Sequence, residues 1–218
     1  MTPAVGGLVV LAAVAAVLNW TAIWRGAVVP EQIAKVTVLF ALFAAAILWS
    51  MAPGASAAVR VCLIVALAAS LMGDAFLLRP DRFVPGLVAF LVAHLAYLAA
   101  FLQLPGSDWG AVAGVTVAFA VIAFLGRDIV AGARPSGLRV PVAIYLVVIC
   151  AMATAATHTL LPAAIAGAWL FVASDSILGW DRFVAPRAAS DREARGRHLA
   201  VMVTYHLGQA LLVVALAG

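Results

Sequence analysis

The sequence predicts an all-α integral membrane protein of eight transmembrane helices, and three observations carry that reading. Of 218 residues, 67% are hydrophobic and only 10% are charged; soluble domains are about half apolar and about a quarter charged. The mean hydropathy is +1.16. The apolar stretches are continuous, each near the roughly 20 residues that cross a bilayer as a helix. They also lack the period-two alternation of a barrel strand. Eight such stretches use most of the chain and leave no room for a separate soluble domain, so residues 1–218 read as a single transmembrane domain.

The predicted spans are 4–24, 33–51, 59–78, 84–104, 110–126, 138–157, 162–180 and 198–217. The first has no basic region before it, which argues for a true span over a cleaved signal peptide. Arg25 lies in the first loop, Arg60 in the second, and Arg79 and Arg82 in the third. Arg127, Arg134 and Arg139 flank the fifth span. Only His158, Thr159 and Pro162 mark the turn between the sixth and seventh. Arg182, Arg187, Arg192, Arg195 and Arg197 crowd the loop before the eighth. Arginine and lysine mark the cytoplasmic side. With Arg60 the sole arginine in an even loop, odd loops are expected inside and both termini outside. Trp24, Trp49, Trp109 and Trp180 fall near span ends, as an aromatic belt requires. Trp169 does not, and is expected to pack between helices.

The net charge of +4 serves topology and is not a nucleic-acid signal, because the basic residues sit in short loops. Cys62 and Cys150 lie in different apolar segments without metal-type spacing and read as free thiols. There is no lipidation motif. High Ala, Val and Arg with a single Lys point to a bacterial, GC-rich source and so to the inner membrane.

Asp74 and Asp175 are the only acidic residues inside the apolar stretches. A carboxylate in hydrocarbon costs about 2.5–3.5 kcal/mol on insertion scales, which makes it a functional candidate. Their contexts match. Gly73-Asp74 leads to Asp81-Arg82-Phe83-Val84, and Ser174-Asp175 leads to Asp181-Arg182-Phe183-Val184. The third and seventh spans run the same way, so both carboxylates are expected one to two turns below the cytoplasmic interface, in one shared site. A spacing of four helices is that of a 4+4 parallel repeat about an axis along the membrane normal.

Other polar residues fall on coherent faces. Ser70, Gly73, Asp74 and Leu77 share one face of the third span, and Gly167, Phe171, Ser174, Asp175 and Leu178 one face of the seventh. A small residue before each aspartate permits close approach by a helix or ligand. Lys35 is the only lysine; at the depth of the aspartates it reads either as a snorkelling side chain or as a counter-ion or headgroup-binding group. The fourth span aligns Gly86, Phe90, His94 and Tyr97, and the eighth His198, Met202, Tyr205 and Gln209. His94 suits either an interhelical hydrogen bond or a relay or substrate contact. His206 points about 100° from Tyr205 and is left outside the site. Tyr145 and Asn19 carry little weight. No cluster has zinc spacing, no Gly-x-Ser-x-Gly elbow appears, and two carboxylates are too few for a hard-metal cage. Metal-free, cofactor-free carboxylate chemistry follows.

The run from Ser70 to Leu78 containing Gly73-Asp74, followed by Phe83, Gly86, Phe90, His94 and Tyr97, then Phe171 to Asp175, then Tyr205 and Gln209, resembles the YhhN family of membrane proteins, which includes the lysoplasmalogenases. The resemblance extends from Lys35 to Gln209. It implies an eight-span enzyme that cleaves the vinyl-ether bond of a lysophospholipid substrate, releasing a fatty aldehyde and a glycerophospho-alcohol. It implies catalytic roles for Asp74 and Asp175 and matches Lys35, His94 and Tyr97 to family positions. The family often has Lys-Pro where this chain has Lys35-Val36, which leaves the local helix start open.

Vinyl-ether hydrolysis begins with slow proton transfer to the β-carbon and passes through an oxocarbenium ion. Two close carboxylates in a low-dielectric site keep one proton between them, which supplies the acid and a negative charge for the cation. Glycoside hydrolysis uses the same logic. Asp74 and Asp175 are therefore the expected catalytic pair, without assignment of acid and base. Lys35, Ser70, His94, Tyr97, Ser174, Tyr205 and Gln209 are the expected substrate-binding residues. A proton-coupled transporter is the principal rival, but its carboxylates would sit near the midplane, often on broken helices. An intramembrane aspartyl protease is a weaker one, because position 71 is Leu where Gly-x-Gly-Asp is usual. A purely structural protein is a third.

Overall fold

A computed structural model describes residues 2–50, 56–185 and 190–218. Among them there is no β-strand, and eight helical segments are long and apolar enough to cross a membrane. The protein is multi-pass. The helices are α1 (Pro3–Arg25), α2 (Val28–Ser50), α3 (Ala57–Leu77), α4 (Phe83–Phe101), α5 (Asp108–Val121), α6 (Arg127–Gly132), α7 (Arg139–His158), α8 (Pro162–Phe183) and α9 (Asp191–Ala217). The fifth span is composite: α5 passes through a π-helical turn at Ile122–Gly126 into α6.

Local chemistry explains the boundaries. Thr2 caps α1 by accepting from the Val5 N–H, and Pro3 fills a position that needs no donor. Gly26, with φ of 70°, ends it in the left-handed conformation. Ser190 and Glu193 form a reciprocal capping box at the start of α9. Leu160 takes a positive φ of 57° in the turn between α7 and α8, and Pro162 then opens α8.

Three boundaries differ from the expected spans for one reason: apolar windows stop at charged residues, whereas helices do not. α2 begins at Val28 and not 33, because Pro30 and Glu31 are favourable in a first turn. α9 begins at Asp191 and not 198, set by its capping box. The fifth span continues past 126, so Arg127 lies on a helix. Residue 51, the expected end of the second span, and Arg187 lie outside the described residues.

The helices form a closed circuit in which α1, α2, α3, α4, α7, α8 and α9 each pack on the next. α9 returns against α1, α2 and α3, while α5 packs outside on α7. Large apolar side chains such as Val10, Val14, Val17, Phe119 and Phe124 face outward. A water-facing surface rarely carries so many, whereas lipid is their proper solvent. Trp169 sits between helices and donates to Thr157 Oγ1 at 3.0 Å. Cys62 and Cys150 are free.

Glycine also permits a close crossing of α8 and α9. A Cβ on Gly167 would lie 3.0 Å from both the Gly208 carbonyl oxygen and the Leu212 nitrogen. Backbone touches backbone there, the small-residue packing that holds membrane helices together. Gly167→Val should therefore lower the stability of the detergent-solubilised protein by about 1–3 kcal/mol, since main chain cannot yield as a side chain can. Thermal unfolding measures it; an unchanged midpoint would mean that α8 and α9 separate without cost.

Candidate active site

Lys35 lies seven residues into α2, roughly 10 Å along its axis, with only 8% of its surface exposed. It does not snorkel. Its Nζ is 3.0 Å from Asp74 Oδ1, and Asp74 is 1% exposed. Tyr205 Oη donates to the other oxygen, Asp74 Oδ2, at 2.9 Å. A cation and a hydroxyl thus hold Asp74 as a carboxylate, the form that charge-assisted bonds favour.

Asp175 has different company. Tyr145 Oη donates to Asp175 Oδ2, and His94 Nε2 stands 3.6 Å from the same oxygen. The Nδ1 of His94 lies within hydrogen-bonding reach of the Phe90 carbonyl oxygen. A carbonyl only accepts, so Nδ1 carries the hydrogen and a neutral ring turns its Nε2 lone pair towards Asp175. A lone pair facing a carboxylate oxygen is repulsive unless a proton lies on one of them. The Asp175–His94 pair is therefore the natural home of a proton, and the Lys35–Asp74 pair is not.

Both aspartates line one cleft of about 590 Å³. Lys35, Ser174 and Tyr205 line it too, with Arg79, Arg182 and His198 among the other polar residues. A narrow apolar slot adjoins it, walled by residues such as Leu87, Ile129, Val142 and Ile149. The two spaces share Leu77, Phe83, Phe90, Asp175 and Leu178. Asp175 thus stands where a polar space meets a hydrocarbon one. Beneath it Phe90, Phe171 and Tyr205 form an aromatic cluster with centroid separations of 5.2 to 6.3 Å. At the mouth the matched Asp-Arg-Phe-Val segments meet: Phe83 packs edge-on to Phe183 at 5.9 Å, and the Arg182 guanidinium lies 4.9 Å over Phe83.

Not every expected residue reaches the cleft. Ser174 lines it, but its hydroxyl donates to the Val201 carbonyl at 3.1 Å and ties α8 to α9. Tyr97 donates to Gln209 Oε1 at 2.6 Å, with both side chains fully buried and neither among the cleft's lining. They join α4 to α9 behind the site. Ser70 is fully buried and also lies away from the lining. His206 accepts from Trp20 Nε1 at 3.1 Å, outside the cleft.

Two residues matter more than their sequence signal suggested. Tyr145, given little weight above, touches Asp175. Its position was the clue: it lies six residues inward from Arg139, as Asp175 lies seven inward from Arg182, so the two share a depth. His198 lines the cleft and pairs with Glu31 Oε1 at 2.8 Å. Nothing local in the sequence connects positions 31 and 198.

Known proteins resemble this chain over most of its length. The model of the YhhN family matches residues 31–216, a segment containing every residue named in the cleft. The human lysoplasmalogenase TMEM86B is 33% identical over 184 residues, covering 84% of this chain and 74% of that protein. The mouse lysoplasmalogenase TMEM86B is 32% identical over 170 residues, covering 77% and 68%. A lysoplasmalogenase of Mycobacterium bovis is 36% identical over 141 residues, covering 57% and 51%. No solved structure matches the chain. With the family model spanning most of its length, this multi-pass chain belongs to the YhhN family.

Proposed function

We propose that the protein is a lysoplasmalogenase-type hydrolase in which Asp175 is the proton donor and Asp74 the resident carboxylate. One observation carries the reading most: Asp74 and Asp175, a hundred residues apart, line one cleft at the boundary between a polar space and an apolar slot. A lysoplasmalogen has the same division. Its glycerophospho headgroup suits the polar side, where Arg79, Arg182 and Lys35 offer cations to a phosphate, and its alkenyl chain suits the slot. The vinyl-ether bond then falls beside Asp175.

The Asp175 carboxyl gives its proton to the β-carbon of the alkenyl group, and the electron pair of the double bond forms the new C–H bond. The carbon attached to oxygen becomes an oxocarbenium centre, stabilised by the nearby carboxylates. Water adds to that carbon and gives up a proton to Asp74. The hemiacetal breaks its bond to the glycerol oxygen, its hydroxyl proton passing to that oxygen, and leaves a fatty aldehyde and a glycerophospho-alcohol. A proton returns from Asp74 to Asp175 through cleft water. Tyr145 and His94 orient Asp175; Lys35 and Tyr205 orient Asp74.

A parallel 4+4 arrangement accounts for the pattern of partners. Asp74, on the third span, is held from the second by Lys35 and from the eighth by Tyr205. Asp175, on the seventh, is held from the sixth by Tyr145 and from the fourth by His94. Exchanging the halves exchanges the two sets, as a pseudo-two-fold along the membrane normal would. With both termini outside, as the arginine distribution argues, the cleft opens towards the cytoplasmic leaflet of a bacterial inner membrane. Residues 1–218 then act as one domain.

The purified protein, incubated with a lysoplasmalogen, should release free aldehyde and glycerophospho-alcohol in equal amounts without added metal or cofactor. Proton flux in liposomes with no lipid cleavage would replace this reading with transport.

A further inference from the structure

A second cavity, of about 550 Å³, lies on the lipid-facing side of the fifth and sixth spans, apart from the aspartates. Its walls are apolar along Ile122 and Val130 on one side and Leu146 and Val147 on the other. It opens where the fifth span leaves regular α-geometry at the π-helical turn Ile122–Gly126. Three arginines line it as well: Arg127, Arg134 and Arg139. Arg127 faces Asp128 at 3.6 Å. Among the described residues, neither Arg134 nor Arg139 has an acidic partner within ion-pair distance.

We propose that this groove binds an anionic phospholipid, independently of the aspartate cleft. Guanidinium groups match a phosphodiester in charge and in fork geometry, and basic pockets between spans at a membrane interface suit acidic headgroups. From Arg134 to Ile122 the helix runs about 18 Å at 1.5 Å per residue, room for most of an acyl chain. A zwitterionic lipid would bring an ammonium towards three cations, so the site selects net negative charge. Free phosphate would satisfy the arginines but leave the apolar walls uncovered. The groove also shares Leu146 with the slot beside Asp175. A lipid held there braces the wall against which the catalytic chain is proposed to lie.

The test is binding, not turnover. Delipidated protein in detergent is titrated with phosphatidylglycerol, phosphatidylcholine or inorganic phosphate, and bound lipid is read by native mass spectrometry. Phosphatidylglycerol should bind preferentially, and Arg134→Gln/Arg139→Gln should weaken it about thirtyfold while leaving phosphatidylcholine unaffected. Arg134→Lys/Arg139→Lys, which keeps the charge, should recover most of the preference. Equal binding of both lipids by the parent, or an unchanged preference in the glutamine variant, overturns the proposal. So does inorganic phosphate matching phosphatidylglycerol at equal concentration, since that would make the groove a free-anion site. If the glutamine variant fails to fold, the parent's lipid preference and its competition with phosphate still decide.

Discussion

Asp175→Asn should cut aldehyde release from lysoplasmalogen by about 10²- to 10⁴-fold, the range attributed to a positioned general acid. Asparagine keeps the shape of the side chain, and its oxygen can still accept from Tyr145 Oη, so the thermal midpoint should hardly move. What disappears is the transferable proton beside His94. Because binding groups across the cleft are untouched, the loss should appear in kcat with KM nearly constant. Release of aldehyde at close to the parent's rate would remove Asp175 from the chemistry.

The second large effect concerns stability. Lys35→Met leaves the carboxylate of Asp74, 1% exposed, with Tyr205 as its remaining hydrogen-bond donor. Breaking one side of a buried ion pair costs about 3–5 kcal/mol, largely because the other charge is stranded. Asp74→Asn added to Lys35→Met should recover most of that loss, because the stranded charge is gone. It should not recover activity. Unfolding curves for the two single variants, the double variant and the parent close a thermodynamic cycle, with a coupling of at least about 2 kcal/mol expected between the positions. Additive effects would mean that the 3.0 Å contact does not bind the two charges into a unit.

Asp74 and Asp175 stand out in the sequence because ionised groups are costly in hydrocarbon wherever the helix is placed. Lys35 stood out by its solitude, but two readings fitted it equally. Its depth inside α2 depends on the helix starting at Val28, a start that Pro30 and Glu31 permit and a hydropathy window misses. Tyr97 and Gln209 share helical faces with cleft residues, yet they bond each other and do not line the cleft. A helical face tells which neighbours a side chain shares, not which opposing helix it meets. Tyr145 carries little signal in the sequence, because a lone tyrosine in a span is ordinary until its depth is compared with that of Asp175.

By itself the sequence determined the membrane setting, the helices long and apolar enough to cross it, and the two acidic groups within them. These follow from the transfer of each residue between water and lipid, which depends on position along one helix. Tertiary structure alone decided that Asp74 meets a lysine while Asp175 meets a histidine and a tyrosine, and that an apolar slot ends at the second of them. Such pairings depend on how closely helices approach, as at Gly167 and Gly208. Inside a membrane that approach is governed by shape, because every apolar face is already in its preferred solvent.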